Sequence, residues 1–207
     1  MTTRHPDGAD TIAKKGSSPP TPYTSQVAIP LPSDADVKKV MGDAFDPNKT
    51  LNVLMMFAGA EDMYQATMGL VKAVFETKGI DPKTREMIIL RAAKVMNCPY
   101  EWQANIEFAA NAGLSPDEIQ ATESDGPVTG INPEYVLICQ ATDELCTDAT
   151  LRDGTLRQLL DRYGDVISRK LVLMIAWFNL LSRFLNGCRV PLETTNKIAA
   201  GQTSPLR

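Results

Sequence analysis

Nine consecutive residues, Asn97-Cys98-Pro99-Tyr100-Glu101-Trp102-Gln103-Ala104-Asn105, gather a thiol, a carboxylate and three amides at what reads as the start of a helix. At 100° per residue, Cys98, Glu101, Trp102 and Asn105 fall on one face, which continues through Phe108, Ala109 and Ala112. That face is otherwise apolar and is expected to turn inward, taking a carboxylate and an amide with it. A carboxyl group withdrawn from water and left without a cation keeps its proton near neutrality and can then give or take one. Glu101 is therefore the leading candidate for chemistry. Asn105 is a candidate for orienting a ligand carbonyl, and Cys98 is a thiol whose pKa the helix-start amides would lower. A plainer reading stands beside each. Glu101 could pair with Arg85, Arg91 or Arg183, Asn105 could bridge two helices, and Cys98 could be a small buried hydrophobe.

Composition narrows the chemistry further. The only histidine is His5, inside a polar, Pro-rich N-terminal stretch, so triads built on His and two-His metal sites are excluded. Proton transfer must run through a carboxylate, Cys, Lys, Tyr or water, and neither a metal nor a cofactor is expected. Twenty-one Lys and Arg against 25 Asp and Glu give a net charge of −4, which offers no basic field for a phosphate backbone, so nucleic acid is not expected as a partner. Four cysteines without tight spacing and no signal-like apolar segment suggest a reduced, cytoplasmic protein. The most apolar run, 171–181, is interrupted by Asn179 and flanked by Arg169, Lys170 and Arg183, so it reads as a buried helix and no membrane partner is expected. Within it, Trp177 and Phe178 beside Asn179, with Arg183 one turn on, could line an apolar pocket with a guanidinium at its rim, suited to a carboxylate ligand; helix packing with a surface Arg is the alternative.

The elements that must position these groups are helical. Residues 1–32 hold six of the fourteen prolines and read as a flexible tail. Ser33 with Asp36 caps a short helix toward Phe45; segments 51–57 and 61–77 follow, closed by Gly79. Asp81-Pro82 opens a helix to about Met96, Pro99 starts one that stops at Gly113, and Ser115, Pro116 and Glu118 spell a capping box. Asn132-Pro133 begins a helix to about Cys146, Asp153 caps one ending near Gly164, and Asp165 opens a long apolar helix finished by Gly187. The prediction is an all-α bundle of about seven to eight helices over 33–195, followed by a flexible C-terminal tail at 196–207.

Thr84-Arg85-Glu86-Met87-Ile88-Ile89-Leu90-Arg91, Asn97-Cys98-Pro99-Tyr100-Glu101-Trp102 and Ala112-Gly113-Leu114-Ser115 resemble the core signature of the carboxymuconolactone decarboxylase and alkylhydroperoxidase AhpD-like superfamily. The 153–164 helix and Ser182-Arg183-Phe184-Leu185-Asn186 near Pro191-Leu192 are similar to its decarboxylase-like branch, and the resemblance spans 35–195. It implies an AhpD-like subunit that assembles into a homo-oligomer, a trimer or hexamer, with a small pocket near subunit contacts. The family motif places a His where Asn105 stands, and the peroxidase branch has its second cysteine where Glu101 stands. The activity implied is a cofactor-independent, decarboxylase-like proton transfer on a small unsaturated carboxylic acid or lactone. Glu101, Asn105 and Cys98 would be its catalytic residues, and Tyr100, Trp102, Arg183 and Asn179 would hold the small-molecule substrate. The alternatives are a non-catalytic, oligomeric small-molecule binder and a Cys98-dependent alkylhydroperoxidase.

Overall fold

Side-chain caps followed by proline start three of the helices. Asp81 accepts from the Thr84 amide ahead of α4 (Pro82–Val95), Ser115 exchanges two hydrogen bonds with Glu118 ahead of α6 (Pro116–Ala121), and Asn132 accepts from the Glu134 amide ahead of α7 (Pro133–Thr147). In each, proline takes the first helical position, where an amide would have no partner within the helix. Helix α5 (Pro99–Ala112) also opens on proline, and it ends at Gly113, whose φ of 92° is the left-handed conformation that favours glycine.

A computed structural model describes residues 27–206. The expected Pro-rich tail falls largely in 1–26, outside the described residues. Among the described residues all regular structure is helical. The remaining α-helices are α1 (Asp34–Met41), α2 (Asn52–Ala58), α3 (Tyr64–Phe75) and α8 (Asp153–Cys188), which makes eight in all and agrees with the all-α reading. Helix α8 runs through residues 153–188 but contains Gly164 at φ 69° and ψ 173°, which breaks it where the sequence places a boundary. Its N-cap is Arg152 rather than Asp153, and its left-handed end residue is Arg189, beyond the expected Gly187.

Helix α4 is the hub, packed against α5, α7 and α8. Every residue from Thr84 to Ala93 is buried, including Arg85, Glu86 and Arg91. A helix enclosed on all sides has no polar face to present to water, so its charged residues must find partners inside. Arg91 does so in full. Its guanidinium binds both Asp143 oxygens and donates to the carbonyls of Thr122, Ser124 and Gly126, fastening α7 and the 122–126 loop to the hub.

The C-terminal segment is a strap rather than the expected flexible tail, because side chains of the body satisfy its polar groups. Glu193 Oε1 accepts from the Asn52 amide and from the Tyr100 hydroxyl, both at 2.6 Å, and that hydroxyl accepts from the Val53 amide at 2.9 Å. These contacts serve the start of α2, whose N-cap Leu51 has no capping side chain. Further along, Lys197 reaches the Thr50 carbonyl, Asn111 donates to the carbonyls of Ala199 and Gln202, and Arg85 Nη2 donates to the Thr203 carbonyl.

Candidate active site

Glu101 lies in the first turn of α5 and is 1% exposed. Ser182, brought alongside by α8, donates to Oε2, while Oε1 has no hydrogen-bond partner. The Cys98 thiol lies within hydrogen-bonding reach of both Glu101 and Ser182. None of the three arginines considered from sequence is its partner. Arg85 Nε sits 3.1 Å from Glu86, Arg91 binds Asp143, and Arg183 Nε donates to Asn179 Oδ1 at 2.8 Å. Burial therefore dominates and pushes the Glu101 carboxyl up to about 8; Ser182 and Cys98 pull it down and the neighbouring Glu86 pushes it up. At neutral pH the group is a protonated acid, with Ser182 holding one oxygen.

Glu86, on α4, is fully buried and is not among the residues that sequence spacing singles out. Arg85 holds Oε1, Oε2 has no partner, and burial raises the carboxyl to about 7 against the pull of Arg85. Two buried carboxyl groups thus influence one another electrostatically, and only Glu86 has a cation beside it. The available signal was the unbroken burial of α4, which leaves its charged residues nowhere else to go.

Glu101 and Asn105 open onto a cavity of about 50 Å³ whose other walls are mainly apolar, among them Phe57, Phe75, Phe178 and Leu181. Pro205 of the strap closes one side. Trp177 also lines the cavity and is 5% exposed, with its indole Nε1 buried and unpartnered. Asn105 spends its Nδ2 on the Glu101 carbonyl one turn back, at 2.7 Å. Tyr100 is at the wall, but its hydroxyl belongs to the Glu193 and Val53 network.

The remaining predicted residues lie elsewhere. Trp102 is buried in the core and does not line the cavity. Asn179 and Arg183 are not brought to it: Arg183 is exposed and bonded to Asn179, whose amide faces the Met96 sulfur at 3.6 Å. The reason is angular. Trp177, Leu181 and Leu185 recur at four-residue spacing on the cavity face, whereas Asn179 lies 200° around α8 from Trp177. The expectation for Cys98 is corrected as well. Burial, followed by the charge of Glu101, pushes the thiol well above its usual range and outweighs the Tyr100 and Glu101 amides that pull it down. All four cysteines are free thiols.

A larger open cleft of about 830 Å³ lies between the end of α4, the 124–129 loop and α7. Its charges are already matched, Arg91 with Asp143, Lys94 with Asp125 at 2.7 Å, and Glu144 with the Arg152 amide at 2.8 Å. Among the described residues no group of three or more His, Cys, Asp or Glu side chains is placed to hold a metal ion.

Fold and site together define an all-helical protein with a buried carboxyl, bonded to no cation, at an apolar cavity. Residues 61–136 match the model of the carboxymuconolactone decarboxylase family. Similar solved structures include the alkylhydroperoxidase AhpD core of an uncharacterised peroxidase-related protein from Ralstonia eutropha JMP134, at TM-score 0.66 and 18% identity, covering 79% of this chain and 90% of that one. Another is an uncharacterised peroxidase-related protein from Silicibacter sp. TM1040, at TM-score 0.63 and 14% identity, covering 84% and 95%. A protein of unknown function from Agrobacterium tumefaciens aligns at TM-score 0.58 and 20% identity, covering 66% and 95%. Among curated proteins no relative matches the sequence. The family match thus covers residues 61–136, and the solved structures share the fold of the chain.

Proposed function

We propose that this protein is a cofactor-independent proton-transfer enzyme of the decarboxylase-like kind, acting on a small unsaturated acid or lactone with Glu101 as its acid/base. One observation carries this reading: Glu101 is among the residues lining an apolar cavity, its carboxyl is buried with Oε1 unpartnered, and no cation is bonded to it. A substrate of this class supplies its own electron sink. When the bond to a substrate carboxylate breaks, carbon dioxide leaves and the electron pair stays on the reacting carbon, held as a dienolate through the substrate carbonyl. Glu101 then delivers its proton to that dienolate and is reprotonated from water. The residue suits the task because burial keeps it neutral near pH 7, with a carboxyl value of about 8.

The hydroperoxidase alternative has less support. Glu101 occupies the place of a resolving cysteine, and the Cys98 thiol is buried and pushed up, away from the thiolate that would attack a peroxide.

The test is turnover in D₂O of a panel of small unsaturated lactones and acids, with deuterium incorporation at product carbon read by NMR. Glu101→Gln keeps the shape of the site but carries no transferable proton, so kcat should fall by about 10²- to 10⁴-fold while the helical circular dichroism is retained. Undiminished turnover in a folded Glu101→Gln protein overturns the assignment.

A further inference from the structure

Helix α8 keeps one face out of the bundle. Beyond the break at Gly164 the exposed positions include Val166, Arg169, Leu173, Ala176, Leu180 and Arg183, while Leu171, Ile175, Phe178 and Ser182 are buried on the other side. Steps of three and four residues alternate through the exposed six, which confines them to an arc of about 100° and gives them the heptad spacing of a seam between two helices. Its larger apolar members are well out in solvent, Val166 at 62%, Leu173 at 59% and Leu180 at 53% exposure. A branched apolar residue at every seventh position on the water side adds nothing to the core of the single chain and marks a contact surface.

Charge is distributed unevenly along this stripe. Asp165 stands beside Val166 at one end, and Arg183 closes the other. Arg183 spends its Nε on Asn179 and has no acidic partner among the described residues. Asp165 meets Arg169 at 3.0 Å, but both side chains are 72% exposed, so water screens that pair. The orientation of a second copy follows. Run parallel, each position of the seam meets itself, which sets Arg169 against Arg169 and Arg183 against Arg183. Run antiparallel, the first position of each heptad meets the fourth of the other copy. Leu173 then lies over Ala176, large against small, while Val166 and Leu180 lie against the stems of Arg183 and Arg169, whose charged heads reach the rim. Asp165 comes beside Arg183, and the symmetry makes every contact occur twice.

We propose that the exposed face of α8 binds a second copy of this chain, antiparallel about a two-fold axis that passes between Leu173 and Ala176, with Asp165 of each copy beside Arg183 of the other. The inference is independent of the reading of Glu101. A lipid surface is the other apolar occupant to consider. It is disfavoured because Arg169 interrupts the stripe between Val166 and Leu173, and only an opposing side chain can cover the arginine stem while leaving its head in water.

The test is sedimentation equilibrium of the full chain across a wide range of concentration. The wild-type protein should form a dimer or an even multiple of it. Leu173→Glu places two carboxylates at the centre of the seam and should raise the dimer dissociation constant by at least about 100-fold, with helical circular dichroism retained. Asp165→Arg alone and Arg183→Asp alone should each weaken the dimer by about tenfold, because each sets like charges together at two symmetric places. The double variant Asp165→Arg, Arg183→Asp should return to within about threefold of wild type, a rescue that only the antiparallel register provides. The charge series gives the answer even if Leu173→Glu does not fold. A wild-type protein that stays monomeric or forms only trimers, a folded Leu173→Glu protein that assembles as before, or a double variant no tighter than the single ones overturns the proposal. So does wild-type protein that floats with vesicles of phosphatidylcholine and phosphatidylglycerol while Leu173→Glu does not, since the stripe then serves a lipid surface.

Discussion

At the scale of single residues, the chemistry of this protein follows from where charge has been left uncompensated. Glu86 has a cation and Glu101 does not, so burial lifts Glu101 further, to about 8 against about 7. The groups that face Glu101 come from four elements: Ser182 on α8, Glu86 on α4, Cys98 at the start of α5, and Cys146 on α7, whose thiol is pushed up by burial and by the Glu101 charge. If Glu101 acts as the acid, kcat/KM should hold below pH 8 and fall above it as the proton is lost. Ser182→Ala removes the hydrogen bond that lowers the Glu101 value, so the alkaline limb should move to higher pH. A limb that does not move in a folded Ser182→Ala protein means that a different group is titrating. Glu101 and Asn105 were legible as cavity residues from their helical spacing. The orphaned indole of Trp177 was not, because its unmet donor exists only once α8 is docked.

At the scale of elements, the strap shows how polar residues can order a segment whose composition suggests none. Its hold depends on Tyr100, whose hydroxyl bridges the α2 amide of Val53 and the carboxylate of Glu193. Tyr100→Phe keeps the ring in the wall but strands the Val53 amide and one bond of Glu193. It should destabilise the protein by about 1–3 kcal/mol in urea unfolding, with m unchanged. A loss within a few tenths of a kcal/mol means that water replaces the hydroxyl. Helix boundaries were read well wherever a local device sets them, as at Asp81-Pro82, Ser115 and Gly113, because a cap acts within one turn. They slipped at α8, where Arg152 serves as N-cap with its amide held by Glu144, a residue of another helix.

At the scale of the whole molecule, the two buried carboxyls dictate a dependence of stability on pH. Both have folded values raised above the unfolded value near 4.5, so the folded state binds more protons than the unfolded one between about 4.5 and 7–8. Their contribution is present in full below 4.5 and is lost as pH rises through 7 for Glu86 and 8 for Glu101. The slope is up to about 1.4 kcal/mol per pH unit for each. The only histidine is residue 5, outside the described region, so no other side-chain type ordinarily titrating in that window competes. Urea midpoints should therefore fall from pH 5 to pH 8.5, and Glu101→Gln should flatten the upper part of the fall. A midpoint that rises over this range shows that these carboxyls are not held neutral in the folded state.

The residues of this chain determine by themselves that it is helical, where most helices start, which face of α5 turns inward, and that its proton chemistry cannot use histidine. Those properties arise from caps, prolines and a 3.6-residue period, all of them interactions within one or two turns. Tertiary structure alone decided that Glu101 would have Ser182 rather than an arginine beside it, that Asn179 and Arg183 would point away from the cavity, and that the C-terminal segment would be bound down against α2, α4 and α5. The physical reason is that a buried charge takes its pKa from neighbours far away in sequence. Which arginine reaches which carboxylate depends on how whole helices pack and not on any local pattern.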